Sequence, residues 1–510
     1  MATPQNKGSA NFYQNYNGGI GLENIDIAFA KKHKANFKKY ITNIKVTNNP
    51  GIGLSQTYVT KLQDMLDAEH GGFGGKKQLT ATARKLIEAT SNSADLITKI
   101  SQGENVATNA GRAVLDIGGT LLGTIVPPPY GEALTALLGL VSTFLGITIE
   151  ERESSLKDEI AELLRDFAYT DLQAQYATKL AQIKQLSTII SENIRLNDLP
   201  NRTSTTMEYA AAFVSDKFET TLISWANSKP FKDSSFYDNG YWKNKSVALG
   251  RARIMNLTYE YICAKKCLLQ GLICLLELTK DQMQKANMGP NKLTPIDEHL
   301  HHAQTAYKDL DGSLKSLVND VFSKSATLKT AVMYAALHAM PSFAHMRTAY
   351  RQLTGAAAKY PQPNDINVLT RIVNRGKVPT DFGAKTIGQP GIKFRLRPDP
   401  TYPGCFRLVG EANIPWRESS ASGLEPIPAA GPFDQDRARF IFIGVTEKEA
   451  GTWFLITTRS TVMKSSSELL TYCSGTGLEV NAAGSTALHV LINHDAAGRG
   501  EESHYTVRKA

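Results

Sequence analysis

The stretch Gly111–Ile149 constrains this chain more than any other. Two apolar runs, Ala113–Val126 and Ala133–Ile149, are joined by Pro127-Pro128-Pro129-Tyr130-Gly131-Glu132. The first run holds a single acid, Asp116, and the second holds no charge. Each run is slightly shorter than the roughly 20 residues of a standard helical span. Consecutive prolines lack the N–H that a helix needs and clash with the preceding turn, so the two runs are expected to double back as a hairpin. Gly118, Gly119, Gly123, Gly139 and Gly146 lie in it, each costing a helix about 1 kcal/mol against Ala. Small residues repay that by letting helices approach closely, and Gly119-x-x-x-Gly123 has the small-xxx-small spacing of membrane helices. Such a hairpin belongs either at the centre of a large bundle or in a bilayer. The two readings are compatible, because a water-soluble pore former must bury its spanning element before use. The residues expected to enter a membrane are Ala113, Val114, Leu115, Ile117, Gly119, Leu121, Leu122, Gly123, Ile125, Val126, Leu134, Leu137, Leu138, Leu140, Val141, Phe144, Leu145 and Ile147.

The surroundings of the hairpin read as helix. Leu156, Ile160, Leu163, Leu164, Phe167, Leu172, Tyr176, Leu180, Ile183, Leu186 and Ile190 recur at mostly helical spacing through Glu153–Ile194. Thr203–Trp225 and Val247–Gln284 continue the pattern, and Pro295 is expected to open a further helix. About six to eight helices over Thr57–Met340 make an all-α bundle. After Thr354 the character changes. Tyr360-Pro-Gln-Pro-Asn is a breaker cluster, a short helix is expected at Ile366–Asn374, and Pro379–Pro390 reads as irregular. Beyond Gly391 short alternating runs recur: Phe394-x-Leu396 before Gly404-Cys-Phe406-x-Leu408, Phe440-x-Phe442 before Gly451-Thr-Trp453-x-Leu455, and Val490-x-Ile492 before Tyr505-x-Val507. Three such units, each about 50 residues, suit a β-trefoil, with a β-sandwich as the alternative all-β arrangement. The expected organisation is an arm over residues 1–55, a helical bundle over 56–340, a connecting segment over 341–384 and an all-β domain over 385–510.

Composition narrows the chemistry. The 510 residues hold 57 Lys and Arg against 48 Asp and Glu, a net charge of +9. That excess favours anionic surfaces in general. It is dispersed, with 14 basic and 13 acidic residues in Lys385–Ala510, so nucleic acid is not an expected partner. Five cysteines make no disulfide framework. Cys263, Cys267 and Cys274 share a helix face as small apolar residues. Met1–Gly21 is polar and lacks the profile of a signal peptide, so synthesis as a soluble protein is expected. Glu298-His299-Leu-His301-His302 is not an H-E-x-x-H motif, and there is no G-x-S-x-G, strand-borne G-x-G-x-x-G or CxxC. Neither an enzyme nor a bound metal or cofactor is expected. His338 and His345 read as packing residues, with acid sensing as a second role open to them.

The Gly/Pro-interrupted segment runs straight into Glu150-Glu-Arg-Glu153 and the amphipathic Leu156-Lys-Asp-Glu-Ile160-Ala-Glu-Leu-Leu164. This arrangement resembles the helical N-terminal domain of insecticidal crystal δ-endotoxins and of the related jellyfish toxins. The resemblance implies membrane insertion of the hairpin and a homo-oligomeric pore in a target-cell membrane. It departs from the crystal toxins after the bundle, where there is room for one β domain rather than two. That domain would then be the targeting module. It lacks the Gln-x-Trp signature of ricin-type trefoils, but aromatic faces beside acids or amides hold sugars by stacking and hydrogen bonding. Asp399 with Tyr402, Glu447 with Glu449, Asn493 with Asp495, and the indoles of Trp416 and Trp453 are the candidates for a cell-surface glycan. A non-lytic lectin or adhesin on a helical scaffold is the alternative function.

Overall fold

A computed structural model describes residues 23–24, 78–79, 96, 99, 112–116, 118, 138, 141, 167–196, 199–228, 245–323, 331–358, 369–373, 377–379, 384–386, 394–399, 401–410, 413–418, 424–427, 436–446, 452–463, 478–480, 486–488 and 506–509. The chain divides into two compact units. The first comprises Met1–Lys157, Asp166–Glu219 and Glu260–Leu314, and the second Asp158–Arg165, Thr220–Tyr259 and Lys315–Ala510.

The first unit is helical, apart from the two-residue strands β1 (Glu23–Asn24) and β2 (Gln78–Leu79), which pair antiparallel. Helix α1, Phe167–Leu196, buries Tyr176, Leu180, Ile183, Leu186, Ile190 and Ile194, the stripe the sequence marks out. Helix α2, Leu199–Ser215, packs beside it, and Asn193 donates to Thr206 in their buried seam. Helix α3, Phe218–Ala226, belongs to the second unit from Thr220 onward, and α4, Lys245–Lys285, belongs to the second unit up to Tyr259 and to the first from Glu260. From Ile254 to Leu276 every residue of α4 is buried, as befits a helix covered on all sides. Helix α5 spans Pro290–Phe322, opening five residues before the expected Pro295. Pro290 takes the first-turn place, where the missing N–H has no helical partner to lose.

In the second unit α6 (Ala331–His338) and α7 (Phe343–Thr354) precede twelve strands. These are β3 Leu369–Val373, β4 Lys377–Pro379, β5 Ala384–Thr386, β6 Phe394–Pro398, β7 Phe406–Gly410, β8 Pro415–Glu418, β9 Leu424–Pro426, β10 Phe440–Thr446, β11 Thr452–Thr458, β12 Leu478–Val480, β13 Thr486–Leu488 and β14 Thr506–Lys509. A short helix α8, Arg459–Met463, follows β11. Hydrogen-bonded neighbours run β11-β10-β7-β6-β3-β14, all antiparallel. Strands β11 and β14 also lie against each other, so six strands follow one another around a ring. The remaining strands form three hairpins, β4–β5, β8–β9 and β12–β13. Phe394, Leu396, Phe406, Leu408, Phe440 and Phe442 fill the core, with Phe406 edge-on to Phe442 at 5.6 Å.

Two expectations need correcting. The short helix expected at Ile366–Asn374 is strand β3, because Leu-Thr-Arg-Ile-Val alternates and finds partners in both β6 and β14. The irregular stretch before Pro390 contains β5, paired in a hairpin with β4. The sheet region therefore begins at Leu369, and a boundary at residue 385 cuts β5. It also leaves behind helix α6, which the strands clasp. A Cβ on Gly404 would run into the His338 carbonyl oxygen, and Arg459 Nε donates to the Ala339 carbonyl at 3.2 Å. A fragment of residues 385–510 is accordingly expected to give the poorly dispersed amide spectrum of an unfolded chain. One of residues 331–510 should give a dispersed spectrum; equal dispersion from both would contradict the ring.

His338 is fully buried, stacked 3.9 Å from Phe343 and hydrogen-bonded through Nδ1 to the Tyr334 carbonyl at 2.6 Å. Burial pushes its pKa down to about 3, so it is a neutral packing residue and stays so at mildly acidic pH. Below about pH 6.5 the unfolded chain binds a proton that the folded ring refuses. Stability should fall by about 1.4 kcal/mol per pH unit from there towards pH 3. Denaturant titrations at pH 7 and pH 5 should show that slope, flattened in His338→Leu.

Candidate functional site

Five of the eighteen residues expected to enter a membrane lie among the described positions: Ala113, Val114, Leu115, Leu138 and Val141 are each at most 1% exposed. Residues Ile117, Gly119, Leu121, Leu122, Gly123, Ile125, Val126, Leu134, Leu137, Leu140, Phe144, Leu145 and Ile147 lie outside the described residues. Both arms of the apolar segment rest on α4. On the first arm, a Cβ built on Gly118 would come 3.1 Å from Cys263 Cβ and 3.4 Å from its carbonyl oxygen, so the absent side chain is what lets the backbones approach. For the second arm the notch is in α4 itself: a Cβ on Gly271 would stand 2.5 Å from Leu138 Cδ1. Cys263 and Gly271 are about two turns apart, roughly 12 Å along the helix.

The other faces of α4 are held differently. Tyr176, Phe218 and Tyr261 form a ring cluster with centroids 5.4–6.4 Å apart. Burial, with Asp216 and Glu219 nearby, raises the Tyr261 pKa, so it stays a phenol. About five turns further along α4 from Tyr261, Thr203 and Thr279 share a buried hydroxyl hydrogen bond of 2.7 Å. Between these lie two adjacent lysines. Lys265 Nζ donates to Glu219 at 3.2 Å and to the Asp216 carbonyl, and sits 5.2 Å from the Phe213 ring centre. Lys266 Nζ donates to Asp311 and sits 4.2 Å from the Tyr307 ring centre. Their side chains are 2% and 0% exposed. Burial lowers the Lys266 pKa against the opposing pull of Asp311. Cys263, Cys267 and Cys274 are buried free thiols, and burial pushes Cys267 and Cys274 up to about 12. Sequence reasoning missed the lysine pair, although two adjacent cations inside the long apolar run of α4 are an audible signal that acids wait on neighbouring helices.

A cavity of about 390 Å³ opens between α2 and α5, walled by Met207, Ala211, Val214, His299, His302 and Ala306. The Lys217–Asp309 ion pair, 2.8 Å, stands at its edge. Among the described residues no group of three His, Cys, Asp or Glu side chains is placed to hold a metal ion.

On the strand side, Asp399 lies in the β6–β7 turn as expected, but its carboxylate faces inward and is 1% exposed. Oδ1 accepts from the Thr401 and Tyr402 N–H groups at 2.8 and 2.9 Å, and Oδ2 from Arg407 and Arg439 at 2.8 and 3.2 Å. That uses the four acceptor positions of a carboxylate, leaving none for a sugar hydroxyl. Burial alone would raise its pKa; Arg439, the Tyr402 N–H and Arg407 outweigh it and hold the carboxyl below its usual range. The Tyr402 ring lies between the guanidiniums of Arg439 and Arg459, at 4.8 and 3.9 Å, and Asp436 ties those two arginines together. Trp416 is buried edge-on to Phe394 at 5.7 Å. Trp453 stands on β11, opposite Val445 in register. Glu447, Asn493 and Asp495 lie outside the described residues.

Against this geometry stands one comparison. Residues 35–215 match the family model of the CaTX-A toxin domain. The match takes in the whole apolar segment with helices α1 and α2, begins inside the stretch read as an arm, and ends before α4. The chain thus carries a toxin-like helical domain. Searches of curated proteins and of solved structures return no significant match. Among the described residues, no helix of the toxin-like region or elsewhere is long and apolar enough to cross a membrane.

Proposed function

We propose that the protein is a pore-forming toxin whose hairpin Ala113–Ile149 leaves α4 and enters a target membrane as part of a homo-oligomer. The observation that carries this reading is the seat of the hairpin. Within the toxin-domain match, a Gly/Pro-interrupted apolar segment packs through Gly118 and Leu138 onto one buried helix. Close glycine contacts hold it there, and it carries one acid, Asp116, in its two apolar runs. Removing it requires extraction of little charge, and a bilayer restores the apolar surroundings it loses. Helix α4 keeps Lys265 and Lys266 paired to Glu219 and Asp311, which suits a scaffold that stays in place.

The strands support a β-trefoil as the second module. Twelve strands fall into three sets of four, β3–β6, β7–β10 and β11–β14, each giving its first and last strand to the ring and its middle two to a hairpin. A cell-surface glycan is the ligand class we propose for it, with Glu447, Trp453, Asn493 and Asp495 as its remaining candidates; no catalysis is needed.

Dye release from large vesicles tests the pore. Leakage that rises steeply with protein concentration and is accompanied by a cross-linkable membrane oligomer is the expected result. Cell-surface binding with intact vesicles and cells would overturn it in favour of a non-lytic adhesin.

A further inference from the structure

The stretch Phe394–Arg417 holds four arginines, Arg395, Arg397, Arg407 and Arg417, against two acids, Asp399 and Glu411. Alternation places all four arginines on the strand faces opposite the buried Phe394, Leu396, Leu408 and Trp416. Register brings them together: Arg397 stands directly opposite Arg407, and one step beyond the Leu408–Trp416 pair Arg407 adjoins Arg417. Like charges directly opposite each other destabilise a sheet. Asp399 relieves Arg407 alone among the outward four, from the inside. Arg417 faces Glu425 in register. For Arg395 and Arg397 no carboxylate is within reach among the described residues. Both lean on the neutral Asn413 Oδ1, through long bonds of 3.4 and 3.3 Å.

Asn413 belongs to the β7–β8 turn, which closes with Gly410 N–H to the Ile414 carbonyl at 2.8 Å and Asn413 N–H to the Gly410 carbonyl at 3.0 Å. Asn413 holds φ at 59°, a left-handed value that asparagine tolerates better than most residues. The next residue is Ile414, 44% exposed, one of two large apolar side chains so exposed among the described residues. Two guanidiniums held by a neutral asparagine thus stand at a hairpin turn whose next residue is an exposed isoleucine.

We infer that this tip is a docking site for an anionic phospholipid surface. The guanidiniums take headgroup phosphates or carboxylates by paired, charge-assisted hydrogen bonds. Ile414 enters the boundary between headgroups and acyl chains, where apolar side chains beside cations gain from both contacts. A sulfated glycan would satisfy the arginines but has no use for the isoleucine, which is why the lipid is favoured. The inference concerns the first contact with the membrane and is independent of whether the hairpin later inserts.

Co-sedimentation of the full chain with vesicles of phosphatidylcholine alone, or with about one third phosphatidylserine, tests it, with leakage read separately from binding. Each cation near an anionic surface contributes about 1 kcal/mol, so the double variant R395S/R397S should bind phosphatidylserine vesicles about 30-fold more weakly. Arg395→Lys with Arg397→Lys should recover most of that, and its circular dichroism and that of R395S/R397S should match wild type. Ile414→Ser should weaken binding while leaving its salt dependence unchanged. Equal binding to both vesicle types, or serine variants that bind as wild type does, would overturn the proposal. So would retention on a sulfated polysaccharide that depends on these arginines while vesicle binding does not. Binding without leakage would leave this inference standing and remove the pore.

Discussion

Oxidised Gly118→Cys protein is expected to bind vesicles but release no dye beyond what its unoxidised fraction allows, and reduction should restore release. The native Cys263 supplies the second thiol. A Cβ at position 118 would lie 3.1 Å from Cys263 Cβ, a few tenths of an ångström inside the roughly 3.5–4.5 Å of protein disulfides. The backbone has to give only slightly for the bond to close. Closed, it fastens the first arm of the hairpin to the one helix from which insertion must separate it. Replacing Cys267 and Cys274 by alanine removes competing partners on α4. Gly118→Ala, which carries the same Cβ but no sulfur, reports the cost of crowding and should leak at close to the wild-type rate. Unimpaired leakage by the oxidised protein would mean that hairpin and α4 do not part, and the insertion reading would fall.

The second large effect concerns the lysine pair. Asp311→Ala should destabilise the helical unit by about 3–5 kcal/mol, the range for removing one partner of a buried ion pair. The Lys266 side chain is 0% exposed, and the Tyr307 ring beneath it compensates only part of the lost attraction. Lys266→Met should cost far less, because a flexible apolar chain of similar length fills the site without a charge to solvate. In the double variant K266M/D311A the loss should largely disappear. Thermal melts of the helical signal distinguish these cases: a D311A variant as stable as wild type would show that water reaches Lys266 and that α4 is less enclosed than its burial indicates.

Much of this is legible in the sequence alone. The apolar runs of Gly111–Ile149 stand out because neither glycine nor proline is a favoured choice for a soluble helix, and the toxin-domain match falls across them. The α1 stripe follows from 3.6-residue periodicity alone. The strand pattern is readable in Phe394-x-Leu396 and Phe440-x-Phe442, which lie on β6 and β10 of the antiparallel sheet. Strand β3 was missed because five residues after a proline cluster carry too little pattern. Its identity comes from β6 and β14, one of them more than 130 residues downstream. The binding residues suffered from a different blindness. Asp399 and Tyr402 were nominated for lying in a turn beside an aromatic ring, and sequence spacing cannot say that three arginines from elsewhere, Arg407, Arg439 and Arg459, converge on them. Glu219 and Asp311 were invisible for the same reason: a carboxylate on an amphipathic helix looks solvated until the partner lysine is placed.

The buried thiols of α4 have a further use. Gly118 covers Cys263, and Leu138 fills the notch at Gly271, so Cys267 lies on the stretch of helix bracketed by the two arms. While enclosed, its pKa of about 12 keeps nearly all of it protonated and unreactive at neutral pH. Uncovered to water, a cysteine returns towards about 8.5, and its thiolate fraction at neutral pH rises by about three orders of magnitude. The unmodified protein therefore carries a chemical stopwatch. If the hairpin lifts from α4 as proposed, the rate at which an alkylating reagent consumes these thiols would report the average opening before any membrane is involved.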